Sequence, residues 1–240
     1  MHAGPAGDAA AARTRREQLP AFDRGTRLLF QGDSITDMKW GRNQADRNHY
    51  LGHSYVYLIA ARLGVEMPEA QLDFYNRGKS GNTVMNLRNR WRADAIEMKP
   101  DVLSILVGVN DVGQILRKDI TGAVDTTAWE SNYRYLLDTS RKANPGLRLV
   151  LLDPFVLASG KLKEPAVYKA YRAQVDRLIV IVAQLAKEYD AVHIQTQQVF
   201  DQAASEVSTD HWIWDGVHPL PQGHELIARQ WIWSAGERWG

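Results

Sequence analysis

The sequence predicts an α/β domain, a three-layer α/β/α sandwich with a five-stranded parallel sheet between two helical layers. Three observations carry this expectation. Five short, strongly apolar runs recur along the chain, longer stretches of helical pattern separate them, and small polar clusters follow several of the runs. A strand that is apolar on both faces needs cover on both, which a parallel sheet between helices supplies.

Taken in order, Arg27–Gln31 (RLLFQ) reads as the first buried strand, followed by the polar turn GDSITD. Ser54–Leu63 has a helical pattern, and Leu72–Asn76 (LDFYN) is the second strand. The helix expected over Thr83–Met98 is stopped by Pro100-Asp101, and Val102–Val107 (VLSILV) is the third strand, apolar on both faces. Trp129–Ala143 is helical and ends at the breaker Asn144-Pro145-Gly146. Leu147–Leu152 (LRLVLL) is the fourth strand, closed by Asp153-Pro154. Pro165–Tyr189 is a long helix, Ala191–Gln195 (AVHIQ) the fifth strand, and Pro221–Trp233 the last helix, with Pro221 where a first turn accepts proline. Residues 38–53 and 112–128 read as irregular insertions and therefore as candidate walls of a binding site.

A chain of 240 residues suits one sizeable domain, and 29 basic against 28 acidic residues leave a net charge of +1. No field of one sign dominates, so neither nucleic acid nor a membrane surface is an expected partner. Without a cysteine, disulfides, thiolate metal sites and a cysteine nucleophile are excluded. No run approaches the roughly 18 apolar residues of a membrane span. Met1–Gln18 is rich in Ala, Gly and Arg and has no apolar stretch of signal-peptide type. It reads as a flexible tail (1–18) before a domain over 19–240, with the cytoplasm as the default compartment and secretion left open.

Parallel α/β sheets bind ligands at the carboxyl ends of their strands. The loops there are Gly32-Asp33-Ser34, Gly78-Lys79-Ser80-Gly81-Asn82, Gly108-Val109-Asn110-Asp111 and, after the fifth strand, Trp214-Asp215-Gly216-Val217-His218-Pro219. Together they hold each part that acyl transfer needs. Ser34 offers a hydroxyl that becomes a nucleophile once a base takes its proton, and His218 is such a base. Asp215, three residues earlier, can hold the imidazole in its working tautomer. Backbone N–H groups of Ser34 and Gly81 and the Asn110 amide can form an oxyanion hole. A glycine at 81 is expected because a bulkier residue would crowd the oxyanion.

These blocks, GDS at 32–34, glycine in SGNT at 80–83, GxND at 108–111 and DxxHP at 215–219, resemble the SGNH/GDSL hydrolase superfamily over nearly the whole chain from Phe22 on. The first block is GDSIT rather than GDSL. The resemblance implies a flavodoxin-like SGNH hydrolase fold, with Ser34 as nucleophile, His218 as base, Asp215 as its partner, and Ser34, Gly81 and Asn110 lining the oxyanion hole. GDSITD, SGNTV, WDxVHP and Gly223-His224 are similar to bacterial carbohydrate esterases that deacetylate xylan or xylo-oligosaccharides. The implied activity is hydrolysis of short-chain O-acyl esters, first of all O-acetyl groups on carbohydrate. The alternative is the same chemistry on lysophospholipid, acyl thioester or acetylated lipid. No cofactor and no metal are implied, the partner is a small-molecule or oligosaccharide ester, and a homo-oligomer is open because several relatives are oligomers.

Plainer readings stand beside these. Ser34 can be a serine that caps a helix, Asp215 a turn former, Asn110 a loop brace and Gly81 a helix-start glycine. Asp33 and Asp111 are expected to brace their loops. His49 and His53 lie four apart, but with Gly52 between them and no glutamate a zinc site is not expected; His53 is kept as a residue near the substrate. Trp212 and Trp214 are candidates for stacking on sugar rings, while Trp231, Trp233 and Trp239 are expected to pack the last helix or a subunit contact. Gly78-Lys79-Ser80 mimics the end of a phosphate-binding loop, but Asp73 stands where the first glycine belongs.

Overall fold

The computed structural model describes residues 18–240; the tail expected over 1–18 otherwise lies outside them. Five strands, β1 (Arg27–Gly32), β2 (Asp73–Asn76), β3 (Val102–Leu106), β4 (Arg148–Leu152) and β5 (Val192–Ile194), form one parallel sheet in the order β2-β1-β3-β4-β5. Among the described residues the nine α-helices are α1 (Ser34–Asp37), α2 (Tyr55–Glu66), α3 (Val84–Trp91), α4 (Val109–Leu116), α5 (Thr126–Ala143), α6 (Pro165–Glu188), α7 (Thr196–Glu206), α8 (Thr209–Trp212) and α9 (Pro221–Trp239). Strands β1 and β3 are the centre of the sheet. Leu28, Leu29 and Phe30 of β1 and Leu103, Ser104 and Ile105 of β3 are fully buried, as expected of strands covered on both faces.

Helix α9 packs on α2 and α7 on one face, and α3, α5 and α6 cover the other. Trp231 of α9 fills the first layer against Phe30, 5.7 Å between ring centroids, and its indole N–H donates to Ser104 Oγ at 3.1 Å. Trp91 does the same work in the second layer, donating to Ser140 Oγ at 2.9 Å. Both indoles are buried with a partner for their one polar atom.

Four expectations are corrected. Residues 109–116 are helical, so the segment read as an irregular insertion from 112 begins inside α4; Val109, Val112 and Leu116 place one buried stripe at helical spacing, which Asn110, Asp111 and Gly113 interrupt in sequence. Helix α7 was not expected: it is short, and Phe200 and Ala203 are its main buried apolar anchors. Helix α3 does not run unbroken to Met98 but loosens into a π turn over Arg92–Ile96. Helix α9 continues past Trp233 to Trp239, which packs on Phe22 at 6.1 Å, while Trp233 is left half exposed.

His224 in the first turns of α9 is buried against Tyr55, and its Nδ1 accepts the Tyr55 backbone N–H at 3.2 Å. Burial pushes its pKa down to about 3, and the neighbouring charges of His53 and His218 add to this. A depressed folded pKa means that the neutral ring contributes stability above the unfolded value of 6.5, and that this contribution is lost as pH falls toward 3. His224→Asn is therefore expected to be less stable than wild type at pH 8, with the gap closing by about 1.4 kcal/mol per pH unit below 6.5. Urea titrations of both proteins between pH 8 and 5 check this, and a gap independent of pH would refute it.

Candidate active site

Strand β1 delivers the chain to the carboxyl edge of the sheet, where Asp33 turns it into α1. The Asp33 carboxylate caps that helix by accepting the Ile35 N–H at 2.9 Å. The helix cap is thus Asp33, and the Ser34 hydroxyl is left to meet His218 Nε2 at 2.7 Å. On the other side of the ring, Nδ1 lies 2.7 Å from Asp215 Oδ2. A carboxylate can only accept, so in the neutral ring Nδ1 carries the proton and Nε2 presents its lone pair to the serine.

Asp215 is itself fixed from below. Its Oδ1 accepts the backbone N–H of His218 at 2.8 Å and of Val217 at 3.1 Å, so one tight turn aims carboxylate and imidazole together. Burial raises the Asp215 carboxyl, but the hydrogen bonds from the His218 ring and backbone and the charge of the ring outweigh it and hold the group below its ordinary value. The hydrogen bond that His218 donates to Asp215 raises the ring's pKa, more than burial lowers it.

Two residues that sequence reasoning did not single out hold this turn. The buried Ser159 hydroxyl donates to Ile213 O at 2.5 Å and accepts Gly216 N–H at 3.1 Å, bracketing Trp214 and Asp215. Gly160, with φ +47°, lies directly against the Trp214–Asp215 backbone, where a Cβ would collide. Asn76 plays the matching part for α1. Fully buried at the end of β2, it donates to Thr36 O at 2.7 Å and Leu51 O at 2.9 Å and accepts Gly78 N–H at 2.9 Å. A buried amide at the end of an apolar strand was the available signal.

Gly81 has φ +80°, a left-handed conformation that a side chain would strain, and no protein atom lies within 4 Å of where its Cβ would be. The reason for glycine here is its backbone conformation; no neighbouring protein atom crowds the position. Asn110, the second residue of α4, donates from Nδ2 to Asn82 O at 3.2 Å, which ties it to the same loop, and its side chain also hydrogen-bonds the Asp33 carboxylate. Asp111 bridges α4 to α3 by accepting Val84 N–H at 3.2 Å, the bracing role expected of it. Burial lifts Asp33 to about 6 and Asp111 to about 7, so Asp33 is mostly and Asp111 only partly ionised at neutral pH.

A cleft of about 440 Å³ opens beside His218, lined among others by Asn110, Leu116, Leu162, Val167 and Tyr171. The 112–128 segment contributes Gly113, Arg117 and Ile120 to its wall, whereas 38–53 contributes nothing to this cleft. Trp214 is 60% exposed beside Asp215. Trp212 does not line this cleft, and its indole N–H donates to Ala203 O at 3.1 Å at the end of α7, which anchors α8. His53 is exposed and donates its backbone N–H to Met38 O at 3.2 Å. Lys79 pairs with Asp94 at 3.0 Å, which accounts for the loop that mimics a phosphate site. A second imidazole–carboxylate pair, His193 Nε2 to Asp153 Oδ1 at 2.7 Å, has no serine hydroxyl bonded to its ring among the described residues.

A parallel sheet in this order, with a hydroxyl, an imidazole and a carboxylate in line at its carboxyl edge, has the parts that acyl transfer needs, and the family its sequence matches makes the chain a carboxylic ester hydrolase. Residues 30–226 match the GDSL-like Lipase/Acylhydrolase family, and the chain belongs to it. It is 32% identical over 218 residues, 90% of this chain and 96% of the relative, to an acetylxylan esterase of Geobacillus stearothermophilus. Among solved structures it is similar to a GDSL-like lipase from Parabacteroides merdae, with TM-score 0.83, 34% identity, and 91% of this chain and 99% of that one covered. A catalytic mutant of the Geobacillus acetylxylan esterase Axe2 superposes with TM-score 0.78 and 30% identity, covering 90% and 96% of the two chains. Among the described residues no helix is long and apolar enough to cross a membrane.

Proposed function

We propose that this esterase removes O-acetyl groups from carbohydrate, xylan or xylo-oligosaccharide fragments first, through a Ser34–His218–Asp215 triad. The observation that carries the triad is the pair of 2.7 Å contacts that put one imidazole between the serine hydroxyl and the carboxylate. The sugar ester as substrate is supported by the similarity to an acetylxylan esterase along 96% of that protein.

In the first half-reaction His218 Nε2 takes the Ser34 proton as Oγ attacks the acetyl carbonyl. The oxyanion that forms is met by the Ser34 and Gly81 N–H groups and the Asn110 amide. Ser34 is the first residue of α1, where a helical N–H has no partner within the helix. The sugar hydroxyl leaves with the proton from the imidazolium, which Asp215 has stabilised meanwhile. Water then enters, is activated by the same ring, and frees acetate from Ser34.

Acetate release from acetylated xylo-oligosaccharides, measured beside lysophospholipid, acyl thioester and a chromogenic acyl-chain series, tests the substrate. Turnover confined to the lipid or thioester substrates would refute the carbohydrate reading. Asn110→Ala is expected to lower kcat by about 10²–10³ with little change in KM, because the amide acts on charge that exists only in the transition state. A variant with wild-type kcat would remove Asn110 from the oxyanion hole.

A further inference from the structure

The cleft beside His218 carries two cations that the ester chemistry above does not use. Arg117 follows α4, and Lys161 stands in the short turn Gly160–Leu162 ahead of α6; both line the cleft with Asn110 and His218. Lys161 is close enough to His218 for its charge to oppose protonation of the ring. Neither cation has a carboxylate partner among the described residues, because the acids of the flanking segments are engaged. Asp119 accepts from Thr121 N and Oγ1 at 2.9 and 2.7 Å, Glu164 caps α6 through Ala166 N and Val167 N at 3.1 and 2.8 Å, Asp210 holds Lys163 at 2.6 Å, and Asp215 holds His218.

The position of Arg117 is shaped by its neighbour. Asn110, Gly113 and Arg117 follow one another at steps of three and four residues, on one face of α4. A Cβ on Gly113 would lie 2.8 Å from Arg117 Nη1, so the guanidinium rests on a bare glycine, folded back along the helix toward Asn110. The absent methyl keeps the positive fork in the cleft.

We propose that this cleft selects esters whose substrate carries a carboxylate, seated by Arg117 and Lys161. The inference rests on the esterase reading above and narrows its substrate class. A guanidinium matches a carboxylate with two parallel hydrogen bonds, and an ammonium adds a second positive charge without fixed direction. The apolar wall of Leu116, Ile120, Leu162 and Val167 reduces competition from water for that ion pair. Neutralising Lys161 also removes its opposition to the imidazolium that His218 forms during attack, so the carboxylated substrate gains in kcat as well as in binding. Two halves of an ester can bring the carboxylate: a uronic-acid residue next to the acetylated sugar, or the acyl half of a dicarboxylic half ester.

The test measures kcat/KM on two matched pairs, acetylated xylo-oligosaccharides with and without a uronic-acid substituent, and 4-nitrophenyl hemisuccinate beside 4-nitrophenyl butyrate. The carboxylated member of one pair is expected to be favoured about tenfold at low salt, the size that two solvent-touched ion pairs supply. The responding pair identifies the half of the ester. The preference is expected to shrink toward parity at 1 M salt, to vanish in the Arg117→Gln/Lys161→Gln double variant, and to weaken in Gly113→Ala, which displaces the guanidinium without removing its charge. Equal rates within both pairs for wild type, or a preference that survives in the double variant, overturn the assignment. No turnover of any of the four by the folded wild type overturns the esterase reading and this assignment with it.

Discussion

Ser34→Ala is expected to lower kcat on short-chain chromogenic esters by about 10⁴ or more while leaving the fold intact. The size follows from the mechanism: without the hydroxyl no acyl-enzyme forms, and what remains is catalysis by the oxyanion donors and by binding. Retention of the fold follows from the packing. Among the described residues the Ser34 hydroxyl bonds only to His218, and the helix start is capped by Asp33. The change in unfolding free energy should therefore stay within about 1 kcal/mol. Rates and urea titrations on the same preparation check both halves. Two other outcomes are informative. A variant as active as wild type would show that another nucleophile does the work, and an inactive variant that is also unfolded would return Ser34 to the structural role of a capping serine.

That distinction shows what was legible in the sequence. A serine after a strand and before an apolar run reads equally well as a nucleophile or as a cap. The structure separates the two roles onto adjacent residues, Asp33 for the cap and Ser34 for His218. The strands could be read because their apolar character is set by local burial, and all five lie within a residue or so of the expected spans at either end. Helix α4 could not, because its polar face carries Asn110 and Asp111, which look like a loop to any local pattern. The convergence of the loops at 34, 81, 110 and 215–218 on one edge followed from the topology of a parallel sheet. What holds those loops did not. Asn76, Ser159 and Gly160 act through backbone groups far away in the chain, and no spacing rule links residue 76 to 36 and 51, or 159 to 213 and 216. The anchoring of Trp212 was hidden for the converse reason: its neighbours in sequence lie at the site, yet its indole N–H donates to the end of α7.

Asp215→Asn is expected to cost about 10⁴ in kcat, nearly as much as loss of the nucleophile, though only one atom changes its chemistry. Asp215 does three things at once. Its Oδ1 holds the turn through two backbone N–H groups, its Oδ2 fixes the proton on Nδ1, and its charge steadies the imidazolium. An amide can keep the first by presenting its oxygen to the N–H groups. Its NH₂ then faces Nδ1, which must become an acceptor, so the proton moves to Nε2 and the lone pair needed by Ser34 is gone. The pH profile separates this from simple misfolding. In wild type the bond to Asp215 raises His218, so the acid limb of kcat/KM should fall above pH 6.5, with activity lost as pH drops through that raised value. In Asp215→Asn the support for the charged ring is removed, and the limb of the residual activity should move to lower pH. A variant that loses rate but keeps the wild-type limb would show that Asp215 acts on the shape of the turn and not on the proton of His218.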